Sequence, residues 1–468
     1  MALNNFSFMI FFILVLAVMF ILQILRRRSG SFSNLQKALL LVFSYLFIML
    51  SDWRSCVVIA LYSLFVYAVG YKVKGNRKLL ILTIAVSVAA LAYFKYTNFL
   101  LEGVSGLLGI SDPVILRIIL PLGISFYIFT GLSYVIDVYR GNWSTEKSVI
   151  DVLLYLSFFP KVISGPIVRP HTFFPQAKKY RGLEWKAFRA GIQIFVFGLF
   201  KKMVIADHLG VFVDDVFAAP AAYDTVSVIW AVISYSMQIY FDFSGYSDMA
   251  VGLSKILGFD LEPNFDLPYT ADGISDFWKR WHISLSSWLR DYLYFPLGGS
   301  RKGKGRTYVN LIIVMTVSGL WHGAGWTFIL WGFLHGLLSC LEKIFGKFRS
   351  RVPKGIRIVV TYIMVANLWV FFRADSIRNA LDVLTGMYTM HTGIFQPYTW
   401  TGFAVTVLLV ATVMAWRRAY KNSEGHVNGY YPILNLGSIW QLALFFFVCG
   451  VTVIMGYYGD TAFIYGAF

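Results

Sequence analysis

The chain has 468 residues, of which 58% are hydrophobic and 14% charged, against about a quarter charged in ordinary soluble domains. With a mean hydropathy of +0.65, this composition excludes a water-soluble enzyme and describes an integral membrane protein. The net charge of +17 would suggest nucleic acid in a soluble chain, but here it sits in short loops between apolar runs. Anionic lipid headgroups account for it there, and no RNA- or DNA-binding motif accompanies it.

A run of about 18 apolar residues is long enough to cross the bilayer core as a helix. Asn5 to Leu25, Trp53 to Tyr71, Leu79 to Leu101 and Pro113 to Val138 qualify outright. The first is too long for a signal peptide, has no basic residue ahead of it and no small-residue cleavage site behind it, so it is read as retained. Its charge follows it, as Arg26, Arg27 and Arg28, which places the N-terminus outside and these arginines in the cytoplasm. The basic loops 72–78, 140–147, 178–189, 279–306, 343–357 and 417–421 fall on the same side. Lys201 and Lys202 fit less well, because Ala190 to Phe200 is too short to span twice. A re-entrant or broken helix is expected there.

From Val149 onward, prolines, glycines, aromatics and charges interrupt apolar stretches too short to cross. Irregular backbone at membrane depth is tolerated only where it is buried in protein or lines a cavity, so the working part is expected in this centre. Plain spans return at Ile356 to Phe372, Thr401 to Trp416 and Ser438 to Tyr457. The expected fold is an all-α polytopic membrane protein with roughly 10–12 transmembrane helices, plus re-entrant or interfacial helices around a central tunnel. One membrane domain fills residues 1–468, with N-terminal spans over 1–139, a core of broken helices over 149–340 and C-terminal spans over 356–468. No internal repeat of the transporter kind is visible. Cys56, Cys340 and Cys449 stand singly in apolar segments and imply neither a disulfide framework nor a metal site.

His322, in Leu320-Trp321-His322-Gly323-Ala324, places a titratable side chain where lipid is expected, which marks a functional site by default. An imidazole can take a proton from a hydroxyl and return it to a leaving group. Trp321 offers a flat apolar wall, and Gly319, Gly323 and Gly325 permit close approach of a ligand. The blander reading is a histidine bonded to a neighbouring helix. On an unbroken helix from Tyr308, His322 stands about 21 Å from the cytoplasmic end, past the midplane.

The basic, tryptophan-rich stretch Asp276 to Arg306 precedes it. Within it His282 follows Trp278, Lys279, Arg280 and Trp281 and opens a helical pattern with Ile283, Leu285, Trp288, Leu289, Tyr292 and Leu293 on one face. Ser284, Ser287, Arg290 and Asp291 take the other face. This reads as an amphipathic helix at the cytoplasmic interface, whose Lys279, Arg280 and Arg290 are also placed to meet the phosphates of a nucleotide-bearing donor. Gly298 to Lys304 nearly matches a P-loop, but Gly305 stands where Ser or Thr is needed and no strand precedes it. Further upstream, Asp242, Ser244 and Asp248 lie in an apolar segment. Their carboxylates either pair with the basic residues of 276–306 or with Asn310, or line the tunnel. No nucleophile elbow is present, and no two histidines have the spacing of a helical metal site. His335 reads as a packing or hydrogen-bonding residue.

In order along the chain, ILPLGISFYIF (Ile119 to Phe129), SYVIDVYRG (Ser133 to Gly141), SGP (Ser164 to Pro166), YFDFSGYSDMAVGL (Tyr240 to Leu253), FWKRWHISLSSWLRDYLY (Phe277 to Tyr294), LGG (Leu297 to Gly299) and GLWHGA (Gly319 to Ala324) resemble the membrane-bound O-acyltransferase superfamily. The bacterial branch containing the membrane subunit of alginate O-acetylation is the most similar. The resemblance implies that His322 is catalytic and that His282 is the second signature histidine. It also implies an extracytoplasmic partner of the SGNH acetyltransferase type that passes acetyl to an exported polysaccharide. One position departs: alginate-type members carry a histidine in the Phe-Pro-x element, where this chain has Lys161. If that histidine serves alginate, the polymer here is a different one.

Together these readings give transfer of an acetyl group across the bilayer from a thioester donor, acetyl-CoA or another acyl thioester, with no tightly bound cofactor and no metal. Donor contacts are expected from Trp278, Lys279, Arg280, Trp281, Arg290, Asp242, Ser244, Asp248, Asn310 and Trp321. Beyond the polysaccharide-acetylating protein, membrane lipids are the expected partners, and the expected location is a bacterial plasma membrane. Two alternatives stay open: D-alanyl transfer to teichoic acid from a carrier protein, and a transporter whose buried charges line a pathway without chemistry.

Overall fold

The computed structural model describes residues 3–29, 33–110, 115–180, 182–396, 426–427, 431–432, 438–459 and 464. Helices carry nearly all of it. Among the described residues the β pairing consists of two-residue strands, His426–Val427 against Tyr431–Pro432, and a bridge between Tyr223 and Ile394. Among the described residues, seven helical stretches are long and apolar enough to cross a membrane: Phe6–Leu25, Asn34–Ser51, Trp53–Gly70, Arg77–Leu107, Thr225–Ile256, Trp326–Ile344 and Lys354–Arg373. The chain is a multi-pass membrane protein.

Helices α1 (Phe6–Ser29), α3 (Trp53–Gly70), α4 (Arg77–Leu91) and α5 (Thr97–Leu107) follow the expected spans, with a π-helical turn at Ala92–Tyr96 joining the last two, and α2 (Ser33–Ser51) adds a helix between the first two of those spans. The expected span Pro113 to Val138 is corrected. Its helix, α6 (Ile124–Arg140), begins only after Pro121 and Gly123, because Gly123 takes a left-handed φ of +70°. Any Cβ there would stand 2.1 Å from the carbonyl oxygen of Val162. Short helices α7 (Val149–Ser157), α8 (Phe159–Val162) and α9 (Pro170–Lys178) follow, cut by the prolines as expected of residues that lack an N–H. Near Lys201 the helix α10 (Trp185–Leu199) passes through a π-helical segment, Phe200–Ala206, into α11 (Asp207–Ala218). The expected interruption is a widened turn, a device that often marks functional sites. Then come α12 (Thr225–Ile256), α13 (Ile274–Arg280), α14 (Ile283–Leu289), α15 (Lys304–His322), α16 (Trp326–Ile344), α17 (Gly346–Arg349), α18 (Lys354–Arg373), α19 (Ile377–Tyr388) and a last helix, Ile439–Met455. The expected span Thr401 to Trp416 lies outside the described residues.

The chain divides into two compact units, residues 1–195 with 247–262, and residues 196–246 with 263–468. In the first, α2 and α3 pack on α7, and α3 and α4 on α6. A buried ion pair, Lys37 to Asp151 at 2.7 Å, ties α2 to α7. Phe8, Phe11, Phe47 and Phe159 form an aromatic cluster with centroids 5.6 to 6.4 Å apart. In the second unit, α15 and α16 make a tight hairpin and α18 packs on α16. The fully buried Trp281, Trp331 and Trp369 lie at its centre, and the candidate site is built around them.

Candidate active site

His322 is the last residue of α15, and Gly323, Ala324 and Gly325 turn the chain into α16. The two helices touch through glycines. A Cβ on Gly319 would stand 2.1 Å from the carbonyl oxygen of Phe328, and one on Gly332 would stand 2.3 Å from that of Met315. Small residues at such faces let backbones approach closely. The expectation that Gly319 and Gly323 leave room for a ligand is therefore corrected: α16 fills the space, with the Phe328 ring 2.1 Å from where a Cβ of Gly323 would be.

The His322 ring is buried and boxed by aromatic rings. Trp321, Trp331 and Phe372 meet it edge-on with centroids at 4.9, 5.3 and 5.3 Å, a geometry that fixes the plane of the imidazole. The centroid of His282 lies 6.3 Å away, and Trp321 touches both histidines. The sequence separates His282 and His322 by forty positions, and the fold makes them neighbours.

His282 is held by its backbone as well as its ring. It precedes α14 with φ +42°, a left-handed conformation that is costly for a residue with a Cβ. Its Nδ1 lies 3.2 Å from Asn264 Oδ1, which also accepts the Ser284 N–H at 3.1 Å. Ile283 N–H donates to the Asn264 carbonyl at 2.9 Å. The ring packs edge-on against Phe243 at 4.7 Å. His282 lies between α12 and α15, outside the spanning helices, and burial pushes its imidazole down to about 3, so it is neutral at physiological pH.

Asp242, on α12, is expected either to pair with the basic stretch 276–306 or Asn310 or to line the tunnel. It pairs outside that stretch, with Lys202 at 2.6 Å, and it also lines a polar cavity; Lys202 bonds Asp207 as well, at 2.7 Å. Asp242 accepts the Ile464 N–H at 2.9 Å as well. A buried charge is tolerated when it is paired, and this pairing explains why Lys202 did not fit a loop. Asn310 instead donates to the Gly299 carbonyl at 2.9 Å, anchoring the Leu-Gly-Gly segment. Ser244 is buried on α12, and Asp248 is buried in the other unit.

The residues expected to meet a donor separate into two groups. Trp281 is fully buried and stacked on Phe277 at 5.5 Å. Trp278 donates its indole N–H to His335 Nδ1 at 3.3 Å, which gives His335 the hydrogen-bonding part expected of it. Both belong to the packed interior. Lys279 and Arg290 are exposed, while Arg280 is half-buried and pairs with Asp276 at 3.0 Å.

Phe372, which packs against His322, lines a cavity of about 740 Å³. Its polar walls include Lys202, Asp207, Asp214, Gln238, Asp242 and Arg373, and its aromatic walls are Tyr235, Phe328, Phe372 and Tyr457. Ala324 and Gly325, just after His322, line it too. Arg373, at the end of α18, pairs with Asp214 at 2.6 Å. Among the described residues no group of three His, Cys, Asp or Glu side chains gathers at metal-ligand spacing.

The sequence reading missed Asn264, Trp331, Phe372 and the part Lys202 plays. Lys202 had left a signal, a charge inside an apolar run that no loop explained. Asn264, between Pro263 and Phe265, has no periodic pattern around it.

The fold is that of a helical multi-pass membrane protein in which two buried histidine rings are neighbours, one of them closing a helix near a polar cavity. The chain belongs to MBOAT, the membrane-bound O-acyltransferase family, which matches residues 40–380, and it is an O-acyltransferase. It is 39% identical over 352 residues to the "Probable alginate O-acetylase AlgI" of Pseudomonas putida, covering 74% of this chain and 72% of that one. It is also 39% identical over 342 residues to the peptidoglycan O-acetyltransferase of Helicobacter pylori, covering 67% and 65%. Similarity to the teichoic acid D-alanyltransferase of Bacillus subtilis is lower, 30% over 239 residues, covering 49% and 60%. Part of each relative's length lies outside the match.

Proposed function

We propose that this enzyme moves an acetyl group from cytoplasmic acetyl-CoA to a hydroxyl outside the membrane, for O-acetylation of an exported or cell-wall polysaccharide. The relatives named for alginate and peptidoglycan O-acetylation support the acyl group and the polymer class. The observation that carries the mechanism is the His322 ring, held by three aromatic rings beside the polar cavity.

In this reading His322 removes the proton of the acceptor hydroxyl as its oxygen attacks the thioester carbonyl. The carbon–sulfur bond breaks, and the CoA thiolate leaves with the proton that the imidazole returns. Neutral His282 holds Trp321 and the second face of the site. The exposed Lys279 and Arg290 lie where donor phosphates arrive from the basic face. With the N-terminus outside a bacterial plasma membrane, α15 runs outward and the cavity beside His322 receives the acceptor from the extracytoplasmic side. That acceptor is the hydroxyl of an SGNH-type acetyltransferase partner. A site closed by aromatic rings keeps water from the thioester and brings the two reactants together.

The test is polymer O-acetylation in cells carrying His322→Ala, with membrane abundance measured alongside, and release of free thiol from acetyl-CoA by the purified protein. Loss of both at normal abundance supports the reading. Retained acetylation removes it, and dependence on a phosphopantetheinyl carrier in place of free CoA would redirect it to D-alanyl transfer.

A further inference from the structure

Where α16 and α18 diverge near α17, the second unit holds another cavity, of about 490 Å³. Its walls are apolar, chiefly Leu338, Leu341, Phe345, Ile356, Val360 and Met364. At its mouth Arg349 bridges Glu342 at 2.6 Å and Asp272 at 3.1 Å, and Arg357 reaches Asp272 at 2.9 Å. Two guanidinium groups thus face two carboxylates and balance. The surrounding segment does not balance: residues 343–358 hold six basic residues and no acidic one, and Lys343, Lys347, Arg351 and Lys354 are exposed. Phe345 and Phe348 are exposed beside them, at 57% and 69%, as expected of an interfacial turn anchored in lipid.

We propose that this crevice binds one anionic diacyl phospholipid, with an acyl chain between α16 and α18 and its phosphate among Arg351, Lys354 and the edges of Arg349 and Arg357. A slot with so few polar partners gives water no hold, which favours a hydrocarbon chain. The excess of cations at the rim selects an anionic headgroup over a zwitterionic one, as basic pockets between membrane helices do. The site also touches the candidate active site through the chain. Asp272 and Gly273 line the crevice and open α13, and α13 leads directly to His282. A Cβ on Gly273 would stand 2.2 Å from Glu342 Oε1, so the start of α13 is pressed against the arginine cluster.

The experiment is native mass spectrometry of the full chain in detergent, titrated with phosphatidylglycerol or phosphatidylcholine of identical chains. The wild type is expected to retain one phosphatidylglycerol about tenfold or more in preference to phosphatidylcholine. Arg351→Gln with Lys354→Gln should abolish that preference while leaving phosphatidylcholine retention unchanged, because neither residue has an ion pair among the described contacts. Val360→Trp should displace both lipids by filling the slot. Equal retention of the two lipids by the wild type would overturn the proposal. So would unchanged phosphatidylglycerol retention in Val360→Trp, or capture of inorganic phosphate in place of lipid.

Discussion

His282 Nδ1 lies 3.2 Å from Asn264 Oδ1, and that oxygen also accepts the backbone N–H of Ser284. A backbone N–H can only donate, so the Asn264 atom is the carbonyl oxygen and His282 Nδ1 carries a hydrogen. The neutral ring then keeps its lone pair at Nε2. Asn264 is in this sense a positioning residue for the second histidine.

Replacing Asn264 by aspartate tests the assignment. A carboxylate at that place stabilises an imidazolium and raises the His282 pKa from about 3 by adding an opposite charge. If catalysis requires neutral His282, activity is lost as pH falls through that pKa, so the acid limb of the rate profile moves to higher pH. Asn264→Ala should lower activity without moving the limb upward. An unchanged profile in Asn264→Asp would leave Asn264 a purely structural residue.

Lys202 stands between Asp207 and Asp242, at 2.7 and 2.6 Å. Removing it leaves two carboxylates facing each other in the interior, and breaking a buried pair costs about 3–5 kcal/mol. Lys202→Met should therefore lower the thermal midpoint of the purified protein more than Asp242→Asn, which leaves the amine one partner. Adding Asp242→Asn to Lys202→Met should recover part of the loss. Thermal unfolding of the three variants in one detergent measures the order.

The polytopic helical fold was legible because apolar length is a one-dimensional signal. That signal failed where single residues change the backbone: Pro121 and Gly123 move the start of α6 to Ile124, inside a run that hydrophobicity alone reads as continuous. His322 was legible as an ionisable group in the wrong solvent, and His282 through the resemblance of its Arg-Trp-His element. Their cage was not, because Phe372 and Trp331 look like any other aromatic residues of an apolar helix until α16 and α18 pack. Asp242 was visible as a buried charge in need of a partner. The sequence could not choose among basic residues, and the π-helical turn at Phe200–Ala206 delivers Lys202.

The glycine contacts between α15 and α16 give a steric prediction with an internal control. Gly319→Ala and Gly332→Ala each force a methyl onto a carbonyl oxygen, at 2.1 and 2.3 Å, and the hairpin must open to admit it. Overpacking of this kind costs about 1–3 kcal/mol, and because His322 ends α15, activity should fall further than abundance does. Gly305→Ala, near the start of the same helix with nothing within 4 Å, should leave both unchanged. Equal behaviour of the three variants in membrane abundance and acyl transfer would show that the close approach is not needed.

Lys161 is buried in the first unit with its amine 5.0 Å from the Tyr155 ring and 6.0 Å from that of Phe173. The aromatic faces favour the charged form, but burial pulls the amine down to about 7. Between that value and the ordinary 10.5, the unfolded chain binds a proton that the folded chain does not. Stability contributed by the neutral amine is therefore complete above pH 10.5 and is lost as pH falls toward 7, with a slope of at most about 1.4 kcal/mol per pH unit. Lys161→Met removes that dependence. The difference in thermal midpoint between wild type and Lys161→Met should thus shift in favour of the wild type as pH rises from 7 to 10, and stay flat below 7. A difference independent of pH would mean that the aromatic rings hold the lysine charged in the fold.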